Sequence, residues 1–349
     1  MTKRKTTEHN LSTLDAQAEA TRRAAAETTN SATKDLAYAA AATLDSIARS
    51  QKRKLNLEPI LELHESASAP EVNQARQRRA VRRGQDVYLP SWREATVGMP
   101  NLLLRSALFS SSAAGETLFD APIASQGDTV LSMTGFKLSD YDRRVFAACL
   151  NYYREDRPLS SSVDPKFVEI SFWQLSRDLQ VAYGANVHRA IRGSLIRLNA
   201  AHLRIRVKRQ EIPMPRLIEV AFEDGYAGSD TTEELLRGSD LIAFRIFDSM
   251  ANLFGPADWS SVSATALHDF SGLPSWLTSF YSTHAGPYPV KFSELYKYSG
   301  VTCETREFRR RLKVALTKLQ SDDVSPAVRV ANFALEKNHV TVELTRWKT

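Results

Sequence analysis

One rhythm of apolar positions occurs twice along the chain. Val187, Ile191, Leu195 and Leu198 keep the i, i+4, i+8, i+11 spacing of an amphipathic helix, and so do Phe308, Leu312, Leu316 and Leu319, 121 positions later. Upstream of each run, Ile170-Ser171-Phe172-Trp173-Gln174-Leu175 aligns with Val290-Lys291-Phe292-Ser293-Glu294-Leu295 at an offset of 120. Self-similarity at this period means a duplicated domain rather than a solenoid.

The order of elements inside each copy follows from the same patterning. In the first, Ser139 is an N-cap for a helix carrying Tyr141, Val145, Phe146, Cys149, Leu150 and Tyr153. The turn-rich Arg157-Pro158-Leu159-Ser160-Ser161-Ser162 leads to a strand with Phe167, Val168, Ile170 and Phe172, then to a short helix from Trp173 to Gln180. Tyr183-Gly184-Ala185-Asn186 turns the chain into a long helix, Val187 to Ala201, and the alternating runs Leu203–Val207 and Leu217–Phe222 are expected to pair as a hairpin. The second copy repeats this: a helix over Leu267 to Thr283 interrupted by Gly272 and Pro274, a strand Val290 to Phe292, a short helix Ser293 to Tyr298, a long helix Glu304 to Leu319, and a hairpin of Val328–Leu335 with Val340–Leu344. The fold class expected is therefore α+β, two tandem winged-helix domains in pseudo-repeat. Boundaries fall at 99–226 for the first and 241–349 for the second, with 227–240, rich in Gly, Ser, Thr and acidic residues, as linker. Residues 85–98 make a second linker. Residues 1–84, Ala-rich and charged with few large apolar side chains, make a partly helical, largely disordered N-terminal extension.

Charge changes the picture more than composition does. The 349 residues are 43% hydrophobic and 25% charged, and no apolar run approaches the roughly 18 residues of a membrane helix, so a cytoplasmic protein is expected. Net charge is only +6, yet residues 188 to 209 hold seven basic side chains (Arg189, Arg192, Arg197, Arg204, Arg206, Lys208 and Arg209) and no acidic one. A second cluster, Arg306, Arg309, Arg310, Arg311, Lys313 and Lys318, lies on the long helix of the second copy among only Glu304 and Glu307. In a helix-turn-helix the second helix enters the major groove with one face on its own domain and the other toward DNA. On that geometry the expected DNA-binding residues are His188, Arg189 and Arg192 in the first copy and Arg306, Arg309, Arg310 and Lys313 in the second. Arg204, Arg206 and Lys208 alternate along a strand, as a wing lying on a phosphate backbone requires. A solvated helix face is the bland alternative, but such a face normally mixes signs and does not recur at the same place in two copies.

Two runs carry a resemblance to a known family. Met99-Pro100-Asn101 followed by Arg105-Ser106-Ala107-Leu108-Phe109, and Ser282-Thr283-His284-Ala285-Gly286-Pro287-Tyr288-Pro289-Val290-Lys291, are similar to runs in the TrfA-type replication initiators of broad-host-range plasmids, and modest similarity extends from about residue 85 to the end. The resemblance implies binding to direct repeats, called iterons, in the double-stranded DNA of a plasmid origin, opening of adjacent A·T-rich DNA with contact to the single strand, and recruitment of the host initiator protein and replicative helicase. It also implies a monomer to dimer balance, hence a homodimer. Phe308-Arg309 matches an aromatic residue followed by Arg in the family's second recognition helix, while Arg310, Arg311 and Lys313 stand where the family is not basic. Members carry a Gln-Leu-Ser-Leu-Phe type sequence that binds the polymerase sliding clamp. Here the stretch is Gln85-Asp86-Val87-Tyr88-Leu89, which keeps Gln85 and the terminal hydrophobes Tyr88 and Leu89 but has Asp86 in place of a Leu.

Catalytic chemistry is not expected. The chain contains neither Gly-Lys nor Gly-x-Gly-x-x-Gly, so it has no phosphate-binding loop of either kind. Its seven histidines are dispersed, and Cys149 and Cys303 are far apart with apolar neighbours, so no metal site, disulfide framework or cofactor is expected. Tyr152-Tyr153 suits an aromatic core face better than a strand-transferring pair. The rival reading is a tandem winged-helix transcriptional repressor, because fold does not choose between the two roles.

Overall fold

Ser139 shows how the sequence sets the architecture. Its backbone N–H donates to Asp142 Oδ2 at 2.8 Å, and its hydroxyl lies 3.0 Å from the same oxygen, so a capping box starts a helix just after an extended pair of residues. In the computed structural model the described residues are 16, 17, 19–21, 23, 40 and 87–347, apart from 94, 128, 155, 156, 160–166, 208, 209, 215, 227–234 and 256. The chain divides into two units, Met1–Ala67 and Ser68–Thr349. In the first, Arg23 and Glu19 form an exposed pair 2.7 Å apart at i, i+4; apart from the residues just given, the predicted N-terminal extension, and with it Gln85, lies outside the described residues. All elements named below belong to the second unit.

They run β1 (Thr96–Pro100), α1 (Asn101–Leu104), β2 (Phe109–Ser110), β3 (Thr117–Ile123), β4 (Thr129–Phe136), β5 (Leu138–Ser139), α2 (Asp140–Asn151), β6 (Val168–Ser171), α3 (Phe172–Asp178) and α4 (Ala185–Ala200). Next come β7 (His202–Val207), β8 (Gln210–Met214), β9 (Glu219–Glu223), β10 (Leu241–Arg245), β11 (Trp259–Ser263), α5 (Ala264–Asp269) and α6 (Gly272–Ser282). The chain continues through β12 (Val290–Lys291), α7 (Phe292–Tyr298), α8 (Thr305–Lys318), β13 (Val330–Leu335) and β14 (His339–Leu344). Helices and small sheets mix as expected.

The duplication extends to sheet topology. Sheet β6-β10-β9 and sheet β12-β14-β13 are both antiparallel, each with the last strand in the middle. In both copies a helix, a strand, two further helices and the remaining two strands follow in that order around one core. Two separate apolar clusters result. One is centred on Phe146, Leu150, Ile191, Leu195, Ile242 and Phe244, the other on Trp276, Phe280, Phe308, Leu312, Val340 and Val342.

Three expectations are corrected. Leu203–Val207 does not pair with Leu217–Phe222: β7 lies between β4 and β8 in a four-stranded sheet, β3-β4-β7-β8, and β9 pairs with β10. The reason is packing, since Leu203 and Ile205 line up with Met133 and Leu131 of β4 on the core face. Pairing sequence neighbours overlooked the hairpin β3–β4, an addition with no counterpart in the second copy.

The boundary at 227–240 is also displaced. β10 is the central strand of the first sheet, and Ile246, Met250, Phe254, Trp259 and Val262 continue the first core, so the second core begins only at Ala266. The polar stretch read as a linker connects two strands of one sheet; turn composition marks both cases equally well. Finally, the predicted linker 85–98 is structured from residue 87 on. β1 pairs with β11, and Trp92 is fully buried, donating from Nε1 to Asn151 Oδ1 at 2.8 Å and lying against Phe254 and Trp259. Leu89 is 1% exposed, so this proposed clamp-binding hydrophobe is a core residue, and Tyr88 beside it is half-buried.

The Trp92 pocket requires Gly98, where an added Cβ would lie 2.4 Å from Trp92 Cε3 and 2.9 Å from the Trp259 ring. Gly98→Ala should therefore lower unfolding free energy by about 1–3 kcal/mol, the usual cost of forcing atoms into a filled core, as read by denaturant titration followed through tryptophan fluorescence.

Candidate nucleic-acid interface

Helix α8 is divided into two faces. Phe308, Leu312, Ala315, Leu316 and Leu319 are buried, and Arg306, Arg310, Lys313, Val314 and Thr317 project to solvent along the opposite side. The helical spacing places them there, because a turn of 3.6 residues puts positions 310, 313, 314 and 317 on one stripe. Arg309 lies at the edge of this face and is held from two directions. Its guanidinium stacks over Phe292 at 4.3 Å and donates to Glu336 O at 3.0 Å and Lys337 O at 2.8 Å, in the turn between β13 and β14. Carbonyls do not cancel its charge, so it ties hairpin to helix and remains a cation. A groove of about 730 Å³ runs between Arg306, Arg309, Arg310 and Lys313 of α8 and Phe333 and Leu335 of β13.

Glu304 and Glu307 are the acids lining this groove, and Glu307 is the one bound to its arginines. It accepts from Arg310 at 2.8 Å through both oxygens and from Arg311 at 2.7 Å, and those hydrogen bonds pull its pKa down to about 2. Among the described residues neither Arg306 nor Lys313 has an acidic partner. Sequence reading counted Glu307 only as an exception to a basic cluster; its i+3 and i+4 spacing to two arginines was the signal that it would hold them.

Helix α4 is organised differently, and here the predicted interface is corrected. His188 is 0% exposed rather than outward: its ring stacks on Phe172 with centroids 3.6 Å apart, Nδ1 lies 3.0 Å from the Tyr183 hydroxyl, and Nε2 lies 3.4 Å from Asp224 Oδ2. Burial lowers its pKa, against the opposing pull of Asp224, and so favours the neutral ring. Arg192 reaches the same carboxylate at 2.9 Å, with Phe222 and Tyr226 at 4.5 and 4.2 Å from its guanidinium. Arg197 grips the buried Asp142 at 2.7 and 3.1 Å. On β7, Arg204 pairs with Asp120, and Arg206 lies 3.4 Å from Glu211. Arg189 reaches Asn186 Oδ1 at 3.4 Å, while Lys208 lies outside the described residues. A run of 22 residues without an acid is thus not a surface without acids, because Asp120, Asp142, Glu211 and Asp224 come from other elements.

The two copies share one device. Position 188 corresponds to 309 at the offset of 121, and both side chains stack on the first phenylalanine of the preceding short helix while reaching toward the chain that leaves the second strand of their sheet. In one copy that device ends in a neutral ring on a carboxylate, in the other in a guanidinium on carbonyls.

The two motif runs meet in space. Arg105 donates from Nε to Thr283 Oγ1 at 2.7 Å and also to the Thr283 carbonyl, and Trp276 Nε1 donates to Ser106 O at 3.4 Å. Asn101 anchors β11 through Asp258 O and Ser260. Around them Arg143, 1% exposed, donates to Ser275 Oγ at 2.6 Å, Arg144 donates to Phe270 O at 2.6 Å, and Ser110 and Ser111 donate to Gly300 O and Ser299 O. The motifs are joints between the two cores.

Of the other groups singled out, Tyr153 is buried with its hydroxyl accepting from Ile246 N at 3.1 Å, Tyr152 donates to Asp178, and burial raises the pKa of Cys149. Among the described residues no group of three or more His, Cys, Asp or Glu is placed to hold a metal ion, and no helix is long and apolar enough to cross a membrane.

No protein-family model matches the chain, and no curated protein does. Among solved structures, a crystal structure of selenomethionine derivatives of domains 2 and 3 of RctB is similar, with a TM-score of 0.45 and 13% identity, covering 70% of this chain and 97% of that one. A second crystal structure of RctB domains 2–3 has the same score and identity and covers 68% and 94%.

Because Arg105 supplies at least two of the hydrogen bonds across the joint, Arg105→Ala should cost about 1.5–3 kcal/mol, the range for hydrogen bonds to charged groups. Denaturant unfolding should show this loss, and limited proteolysis of the variant should separate the two cores.

Proposed function

We propose that this chain is a DNA-binding replication initiator of the TrfA type, built on two winged-helix units and acting by binding and distorting duplex DNA rather than by covalent chemistry. The observation that carries the reading is the outer face of α8, where Arg306, Arg310, Lys313 and Thr317 stand free of the core beside a hairpin that Arg309 fixes to the helix. That combination supports a helix lying in the major groove with a wing along the adjacent backbone. The repeated helix, strand, helix, helix, strand, strand order supports the winged-helix description of both units. Similarity of the Arg105 to Phe109 and Ser282 to Lys291 runs to those initiators selects initiation from the other roles a tandem DNA reader could serve.

In this reading the copies do unequal work. The second copy reads sequence through α8. The first contributes Arg189 and the partly exposed Arg204 and Arg206 to the phosphate backbone, while His188, Arg192 and Arg197 hold the domain together. Recruitment of the host initiator and helicase, opening of A·T-rich DNA and a monomer to dimer balance belong to the proposal through the family resemblance. A sliding-clamp contact through Leu89 does not, because that side chain is committed to the core.

The test is binding to the origin of the replicon that encodes the chain, at about 150 mM salt, with permanganate footprinting of neighbouring A·T-rich DNA on the same samples. Periodic protection of direct repeats with reactive thymines is the expected result. Protection of a palindrome without melting would make the protein a repressor, and absence of any selective protection would end the DNA-recognition reading. Lys313→Ala should flatten the slope of log K against log salt by about one, and Glu307→Gln, which releases Arg310 and Arg311, should tighten binding to all duplexes.

A further inference from the structure

We propose that Val314 reads the 5-methyl group of a thymine and so determines part of the sequence specificity of the second unit, an inference that rests on the DNA-binding reading above. Val314 is 58% exposed, the most exposed large hydrophobic on any described helix, and it sits in the middle of the most basic one. Its neighbours on the outer stripe are Arg310, Lys313 and Thr317. On one side Val314 borders a cavity of about 570 Å³ with Leu273, Pro274 and Val301, and on the other more than half of its surface is left to solvent, since the buried side of the helix is already filled by Phe308, Leu312, Ala315 and Leu316.

An exposed apolar group amid cations suits a partner that offers an apolar surface within a polyanion. Duplex DNA presents one such group in the major groove, the thymine methyl, and small apolar side chains are its usual partners. Position along the helix agrees. Arg310 and Val314 are one turn apart, about 6 Å along the axis at 1.5 Å per residue, which is close to two base-pair steps of about 3.4 Å. With Arg310 on one base pair, Val314 faces the groove floor roughly two steps further along, and the Thr317 methyl comes next. In the first copy the equivalent residue is Gly193, which carries no methyl, so this contact belongs to the second unit alone.

The experiment uses the full chain and a duplex recovered from a randomised pool by repeated selection. Each thymine in turn is replaced by deoxyuridine, which removes the methyl and leaves base pairing intact. The wild type is expected to lose about fourfold in affinity at one position, the equivalent of one buried methyl group. Val314→Ala, which has the better helix propensity and is checked by circular dichroism, should bind the two duplexes equally well at that position. Val314→Ile should retain the discrimination. If the wild type binds the selected duplex tightly but is indifferent to uracil everywhere, or if Val314→Ala weakens both duplexes equally, the valine does not read a methyl and the DNA-binding reading stands. If no duplex can be selected at all, the DNA-binding reading itself fails and takes this inference with it.

Discussion

A guanidinium buried between two apolar cores must find directional acceptors, and the relation between the two cores follows from where it finds them. Arg143 donates its hydrogen bond to Ser275, and burial pulls its pKa down to about 10, so the site is held at a cost in desolvation. Arg105 and Arg144 reach main-chain carbonyls of the opposite core, and Gly272 N–H donates back to Asp140. An apolar contact of the same size could slide with little change in energy, because burial has no direction. Hydrogen bonds to fixed carbonyls do not slide, so α4 and α8 share one frame.

Within that frame duplication has kept topology and altered electrostatics. The sheet order is the same in both copies, and so is the stacking of residue 188 or 309 on a phenylalanine. What differs is the acceptor. Asp224 gathers His188 and Arg192 and neutralises the middle of α4, whereas the β13–β14 turn offers Arg309 only carbonyl oxygens and leaves its charge available. One acidic residue placed just after β9 thus separates a helix whose cations are paired from one whose cations face solvent.

Much of this was legible in sequence. Helix α8 falls within one residue of the pattern set by Phe308, Leu312, Leu316 and Leu319, the Ser139 cap is where its residue type put it, and the second hairpin occupies the runs read for it. The failures share a cause. Pattern alone joins β7 to the nearest alternating run, but pairing is decided across the sheet, where Leu131 and Met133 arrive from 74 and 70 positions upstream. Likewise composition places β10 in the wrong copy, because a turn-rich stretch looks the same whether it links domains or strands. Counting acids along the chain misjudged α4, since an ion pair needs proximity in space: Asp142 lies 55 positions from Arg197, and Asp224 32 from Arg192.

Under the proposed function, the same distinction governs how the charge of the molecule would act on a duplex. A net charge of +6 describes a weak, diffuse attraction, and at physiological salt the field of a charge fades over about 8 Å. What DNA meets at contact is local, so paired arginines on β7 and an unpaired Lys313 on α8 are not equivalent even though both count as one in a sum. Released charge positions the duplex; the uncharged side chains between the cations have the better claim to telling one sequence from another. Under the proposed function, the polar density of α8 would set how tightly DNA is held, and its two small side chains, Val314 and Thr317, would set which DNA it is.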